Sequence, residues 1–210
     1  MIEKQTVYVV DDDAGMRKSL GMLLDSAGLS AEPFESAKAF LAGFDSRRSG
    51  CLVLDIKMPE MSGLELQEHL VKAGITIPII VISAHADVTS AVRAMKMGSF
   101  DFIEKPYAPE KILDKIQEAL DFDQQNRAER EWRASVQKLM QAVTEREREI
   151  LDLVVAGKPS KQIASELGIT VSTVDNHRAK LLKKLKAETT ADLLRITLSA
   201  DGISSRSRLK

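Results

Sequence analysis

The stretch VYVVDDDAGMRKSL, residues 7–20, decides how the first half of the chain is read. Four residues of β-type apolar character, Val7 to Val10, run into Asp11, Asp12 and Asp13, and a helical period follows through Met16, Leu20, Leu23 and Leu24 to Gly28. A short, unbroken apolar run fits a strand buried on both faces. Carboxylates repel one another and are costly to bury, so a buried strand ending on three of them needs a physical reason. Part of it is local, because an aspartate just ahead of a helix serves as its N-cap, and Asp13 has that place.

The same strand-then-helix alternation continues outward. LSAEPF (29–34) is a weaker strand, pushed towards a sheet edge by Pro33. Ser36 caps a helix carrying Phe40 and Leu41. CLVLD (51–55) and IPIIVIS (77–83) are strands three and four, and FDFIEK (100–105) is a shorter fifth. Between them, MSGLELQEHLVKAG and ADVTSAVRAMKMG read as helices closed by Gly74 and Gly98. A further helix starts after Pro106 and Pro109. Five such units in about 120 residues predict an α/β fold, a doubly wound, parallel, five-stranded sheet of flavodoxin-like form.

Composition sets the outer bounds. The 210 residues are 44% apolar and 29% charged, which is globular, and the length is comfortable for two domains. The single cysteine, Cys51, opens an apolar run and reads as an inert buried thiol, with no disulfide framework. No signal peptide or membrane span is expected, which predicts a cytoplasmic protein without membrane association. The net charge of −1 hides an asymmetry: residues 1–137 carry 16 basic and 22 acidic side chains (−6), residues 138–210 carry 14 and 9 (+5). An acidic domain joined to one that can approach a polyanion fits this pattern.

In an open parallel sheet, ligands bind beyond the carboxyl ends of the strands. That rule gathers Asp11, Asp12, Asp55, Ser83 and Lys105, from four strands, on one rim. Several clustered carboxylates stay ionised only beside a cation, and oxygen-only ligands suit Mg²⁺. An aspartate can also attack phosphorus to give an acyl phosphate, with Lys105 and Ser83 placed for the transferred oxygens.

VVDDD, LVLDIKMPEMSGLEL, IPIIVISAH and DFIEKPY, in this order and spacing, resemble the motifs of the receiver domain of bacterial response regulators, over roughly residues 5–120. The resemblance implies that Asp55 is the phosphoacceptor and that Asp11, Asp12, Asp55 and the carbonyl of Lys57 hold Mg²⁺, Asp11 through a water. It also implies that Ser83 and Phe102 are switch residues, that Lys105 contacts the phosphoryl group, and that the Lys105–Pro106 bond is cis. Phe102 stands where many relatives have Tyr. Lys57 and His85 occupy positions that flank the attacking water in autodephosphorylation. A phosphatase of the haloacid dehalogenase type also carries D-x-D after its first strand, but Gly15 stands where Thr or Val is expected, and its capping insertion is missing.

From Lys111 the helical pattern runs on through DFDQQNRAEREWRASVQKLM without Gly or Pro, a charged helical linker over residues 121–142. Trp132 and Leu139, seven apart, share one face of it. Residues 143–200 then read as a small all-α domain. TEREREILDLVVAG opens with the capping box Thr144–Glu147, SKQIASELG is a short helix, and Gly168-Ile169-Thr170 turns into a basic helix with five cations and one acid from Ser172 to Lys186. That is helix-turn-helix punctuation. TTADLLRITLSA is a last helix, and residues 201–210 are expected to form a flexible tail.

These helices resemble the LuxR-type DNA-binding domain, and the whole chain resembles response regulators of the FixJ/NarL class, FixJ-like members above all. The resemblance makes Glu147 and His177 packing residues. Lys161, Arg178, Lys183 and Lys184 become candidate phosphate contacts, while Thr173, Asp175, Asn176 and Ala179 belong to the DNA-facing set. Asp175 stands where some relatives carry Lys. The implied protein is a transcription regulator, phosphorylated by a sensor histidine kinase, that binds double-stranded promoter DNA as a homodimer once phosphorylated, with RNA polymerase a further partner. It is no enzyme apart from its own phosphoryl uptake and loss. Two alternatives stand beside this: a regulator indifferent to phosphorylation, and a helical domain that serves protein contact alone.

Overall fold

A computed structural model describes residues 5–84 and 88–207. It divides into two compact units, residues 1–127 and 128–210.

The first unit is a five-stranded parallel sheet of order β2-β1-β3-β4-β5, built from β1 (Thr6–Val10), β2 (Ser30–Phe34), β3 (Gly50–Asp55), β4 (Ile79–Ser83) and β5 (Asp101–Glu104). The two-residue period of a strand sends alternate side chains to opposite faces. Tyr8, Val10, Leu52, Leu54 and Val81 pack on one side with Phe40, Leu66, Leu70 and Ala94, from α2 (Ala37–Gly43), α3 (Gly63–Lys72) and α4 (Val88–Lys96). Val7, Val9, Cys51, Val53, Ile80 and Ile82 pack on the other with Leu20, Leu24, Ile112 and Ile116, from α1 (Ala14–Ser26) and α5 (Pro109–Met140). Both faces are covered, which is why the inner strands are apolar without interruption. Each fully buried Leu or Ile stabilises this arrangement by about 1.5–3 kcal/mol. The β2 strand lies at an edge, as Pro33 predicts, and is only half-buried. Cys51 is buried, and its thiol is pushed well above the ordinary range by burial.

Local signals act as expected. Asp13 caps α1 by accepting from the Gly15 and Met16 amides, Ser36 caps α2, and Ser62 with Glu65 forms a capping box on α3. The Lys105–Pro106 peptide is cis.

The charged segment read as a helical linker over residues 121–142 is helical to Met140, as the second half of α5. Asp123, 1% exposed, accepts from Ser49 Oγ and the Gly50 amide at 2.9 Å each and from Arg127 Nε at 2.8 Å. The Arg127 guanidinium also donates to the carbonyls of Ser46, Arg47 and Arg48. Charges that look like a solvated helix face are therefore spent fastening α5 to the start of β3. Past Ala128, the same helix delivers Val136 and Met140 to the core of the second unit.

That core also holds Ile150, Leu151, Ile163, Val174, Leu181, Leu185, Leu193 and Ile196, from α6 (Glu145–Val155), α7 (Ser160–Leu167), α8 (Val171–Leu185) and α9 (Thr190–Ser207). The backbone of α9 stays helical to Ser207, past residue 200 where the sequence reading ends it. Glu147, 4% exposed, completes the capping box with Thr144 and accepts from Lys184 Nζ at 2.6 Å. The Lys184 ammonium and the Thr144 amide hold its carboxyl at about 2, against an ordinary 4.5. A depressed carboxyl contributes stability that is present above the unfolded value and is lost as pH falls through the folded one. We expect the second unit to lose on the order of 1–2 kcal/mol as pH falls from 4.5 towards 2, allowing for screening at the partly exposed lysine. Trp132, the one tryptophan, reports on this unit by fluorescence. Denaturant titrations of the full chain should show a shallower acid slope for Glu147→Gln; equal slopes would refute the assignment.

Candidate functional site

Parallel strands end together, so the carboxyl edge collects the residues that follow each one. Asp11 (2% exposed) follows β1, Asp55 (5%) ends β3 and Ser83 (1%) ends β4. After β5, the Lys105 amide donates to the Ser83 carbonyl at 2.8 Å, which seats the lysine beside β4. Its ammonium then reaches back across the rim, to Asp11 Oδ2 at 2.8 Å and Asp55 Oδ1 at 2.7 Å. Residues 50 and 94 positions distant from Lys105 thus share one cation.

The remaining carboxylate oxygens are tied by backbone. The Lys57 amide donates to Asp55 Oδ2 at 2.7 Å, and the Asp13 amide to Asp11 Oδ1 at 2.8 Å. Burial pushes the Asp55 carboxyl above its ordinary range, against the pull of Lys105. Burial also works against the Lys105 ammonium, but its hydrogen bonds to Asp11 and Asp55 outweigh it and the net direction is up. Asp12 stands next along the rim, exposed to solvent. Phe102 is half-buried on β5, opposite Val81 of β4. His85 lies outside the described residues.

Two carboxylates, Asp11 and Asp55, share the single Lys105 ammonium, which leaves negative charge at the rim that a bound cation would neutralise. The donors offered are hard oxygens, suited to Mg²⁺, which binds through one or two carboxylates and keeps several waters. Among the described residues, no three Asp, Glu, His or Cys side chains already form a ligating array. Asp11 and Asp55 supply the carboxylate oxygens that such a cation would use. Receiver domains generally bind Mg²⁺ in this acidic pocket.

Two residues near this rim carry no signal in the sequence. Tyr107 is half-buried, its hydroxyl pushed up chiefly by burial, against the pull of Lys105 and with a smaller push from Asp11 and Asp55. Arg17 Nη1 donates to the Asp11 carbonyl at 2.6 Å.

In the second unit, α7 ends at Gly168 in the left-handed region (φ 64°), and Thr170 caps α8 by accepting from the Thr173 amide at 3.2 Å. Val174, Leu181 and Leu185 of α8 point inward, while Asp175, Asn176, Ala179 and Lys183 are exposed. Lys161 is exposed at the start of α7. His177 is half-buried, and its Nδ1 has no hydrogen-bond partner among the described residues, which fits packing. Lys184 needs correction as a free cation: its ammonium is committed to Glu147 and to the Ala142 carbonyl. Thr173 Oγ1 is turned back onto Thr170 Oγ1 at 2.8 Å. Arg178 reaches Ser160 and Thr190, at 3.3 and 3.5 Å.

Residues 7–117 match the response regulator receiver domain, and residues 141–197 match the LuxR family of bacterial regulatory proteins. The chain is a response regulator. Similar regulators include the transcriptional regulatory protein TdiR of Thauera aromatica, 42% identical over 92% of this chain and 85% of that protein. FixJ of Rhizobium meliloti is also 42% identical, over 92% and 95%. Among solved structures, the response regulator StyR superposes with a TM-score of 0.83 at 42% identity, covering 92% of this chain and 98% of that one. Full-length FixJ from B. japonicum gives 0.57 at 35% identity, covering 94% and 98%. Two-domain response regulators of this kind are transcription regulators, whose receiver domain implies a histidine kinase partner and whose LuxR-type domain implies DNA binding. Among the described residues of this response regulator, no helix is long and apolar enough to cross a membrane.

Proposed function

We propose that Asp55 takes a phosphoryl group from a sensor histidine kinase and that the resulting acyl phosphate controls DNA binding by the helical unit. The observation that carries this reading is the Lys105 ammonium shared between Asp11 and Asp55, at 2.8 and 2.7 Å. It supports the reading because a buried carboxylate, able to act as a nucleophile, stands beside the kind of cation needed where charge gathers on the transferred oxygens.

In the transfer, a carboxylate oxygen of Asp55 bonds to phosphorus as the donor's phosphorus–nitrogen bond breaks, and the donor imidazole leaves. Bound Mg²⁺, held by Asp11, Asp12, Asp55 and the Lys57 carbonyl, would supply Lewis-acid neutralisation of the incoming phosphoryl charge. Lys105 gives up part of its bond to Asp55 and follows the new oxygens, and the Ser83 hydroxyl turns to the same group. Phe102, packed against the same core face, repacks and reshapes the face made by α4, β5 and α5. That change favours a homodimer, which sets two α8 helices on half-sites of promoter DNA, where bivalence raises affinity by roughly 10²–10⁴. RNA polymerase contact would follow at the promoter. Apart from phosphoryl uptake and loss, no enzymatic turnover is assigned.

The test is to treat the full chain with acetyl phosphate and Mg²⁺, then record intact mass, size and promoter binding across a salt series. Expected are one phosphoryl adduct, a larger species, and tighter binding that weakens steeply with salt. No adduct would refute the phosphoacceptor role; salt-independent or absent DNA binding would favour protein contact for the helical unit.

A further inference from the structure

Asp175 is the one acidic residue of α8, on a helix that also carries Arg178, Lys180, Lys183 and Lys184. A carboxylate on the face turned to a polyanion weakens binding everywhere unless a specific donor meets it. In a helix-turn-helix, the N-terminal exposed residues of the second helix approach base edges in the major groove. Asp175 lies early in α8 and is exposed, one residue before Asn176 and four before Ala179.

Its side chain is also held. Ser160 Oγ, at the start of α7, donates to Asp175 Oδ1 at 2.7 Å, and Arg178 Nη1 donates to the same hydroxyl at 3.3 Å. Arg178 Nη2 continues to Thr190 Oγ1 at 3.5 Å, so one polar chain ties the first half of α8 to the starts of α7 and α9. Ser160 engages one carboxylate oxygen, while Oδ2 has no hydrogen-bond partner among the described residues. A carboxylate fixed in this way accepts hydrogen bonds and donates none. In the major groove, cytosine offers the N4 amino donor alone. Guanine offers the acceptors O6 and N7, and adenine sets N7 beside its amino group.

We propose that Asp175, oriented by Ser160, is a specificity determinant that selects cytosine, and rejects guanine, at one position of each operator half-site. This rests on the proposed DNA-binding reading of the helical unit. Selection here is as much exclusion as attraction, because a guanine there faces an unpaired carboxylate.

The experiment is selection from a randomised duplex library by the full-length, acetyl phosphate-treated protein, with Asp175→Ala, Asp175→Asn and Ser160→Ala in parallel. Wild type should enrich cytosine over guanine about tenfold at one half-site position. Asp175→Ala should lose that preference while the salt slope stays unchanged. Asp175→Asn should move it towards adenine, to which an amide pairs through N6 and N7. Ser160→Ala should weaken it at the same position. A merely structural role for Asp175 would leave base preference untouched, so cytosine enrichment that survives in Asp175→Ala overturns the proposal. Salt-dependent binding by wild type without such a position overturns it too, leaving the proposed function standing. Loss of all salt-dependent binding in wild type overturns both. Circular dichroism and Trp132 emission check that each variant is folded.

Discussion

Asp55→Asn is expected to take up no phosphoryl group from acetyl phosphate under conditions where wild type is modified. An amide is not a nucleophile towards phosphorus as a carboxylate is. The replacement is otherwise mild. The amide oxygen can still accept from the Lys57 amide, now 2.7 Å from Asp55 Oδ2, and Lys105 retains Asp11 at 2.8 Å. On the proposed mechanism the variant should therefore fold, remain a monomer under phosphorylating conditions, and miss the rise of roughly 10²–10⁴ in operator affinity that the proposed dimerisation would bring. Intact mass, sizing and a binding titration on one preparation check all three. An equal adduct on Asp55→Asn would move the chemistry to another carboxylate of the rim, Asp11 or Asp12.

Gly63→Ala should be severely damaging to the receiver unit, as should Gly50→Ala, whose Cβ would meet the Thr6 carbonyl oxygen. Gly63 opens α3, and its amide donates to the Ile56 carbonyl at 2.9 Å. A Cβ there would fall far inside van der Waals contact of the Asp55 carbonyl oxygen, a backbone atom that cannot swing aside. Either α3 retreats, breaking its Ser62–Glu65 capping box and exposing Leu64 and Leu66, or the turn carrying Asp55 shifts. Overpacking of this kind costs about 3 kcal/mol. Denaturant unfolding should show that loss, and phosphoryl uptake by the folded fraction should fall with it. Gly21→Ala provides the contrast, since nothing lies within 4 Å of a Cβ in the middle of α1. There a gain of about 0.5–1 kcal/mol is expected. Similar stability in the two variants would refute the close-approach argument.

Much of this molecule is legible in the residues because the signals are local. Alternating burial on two faces makes Val7–Val10 and Cys51–Leu54 continuous apolar runs, and Pro33 marks the edge strand. Asp13, Ser36, Thr144 and Thr170 declare helix starts by residue type and spacing. The convergence of Asp11, Asp55 and Lys105 follows from a parallel sheet, in which all strand ends point one way.

Partner choice among charges is a different matter. A lysine in a basic helix looks the same whether it faces a phosphate or a carboxylate, so Lys184 gives no sign of its bond to Glu147. Asp123 and Arg127 read as a solvated helix face, yet they fasten α5 to the residues before β3. Ser160 carries no motif and still holds Asp175 and Arg178 together. The sequence by itself determined the sheet, the helix starts, the acidic rim and the family, because short-range periodicity and ordered motifs encode them. Only the tertiary structure decided which cations remain for DNA and which carboxylates are spent internally, because electrostatic pairing depends on distance across helices that are separate in the chain.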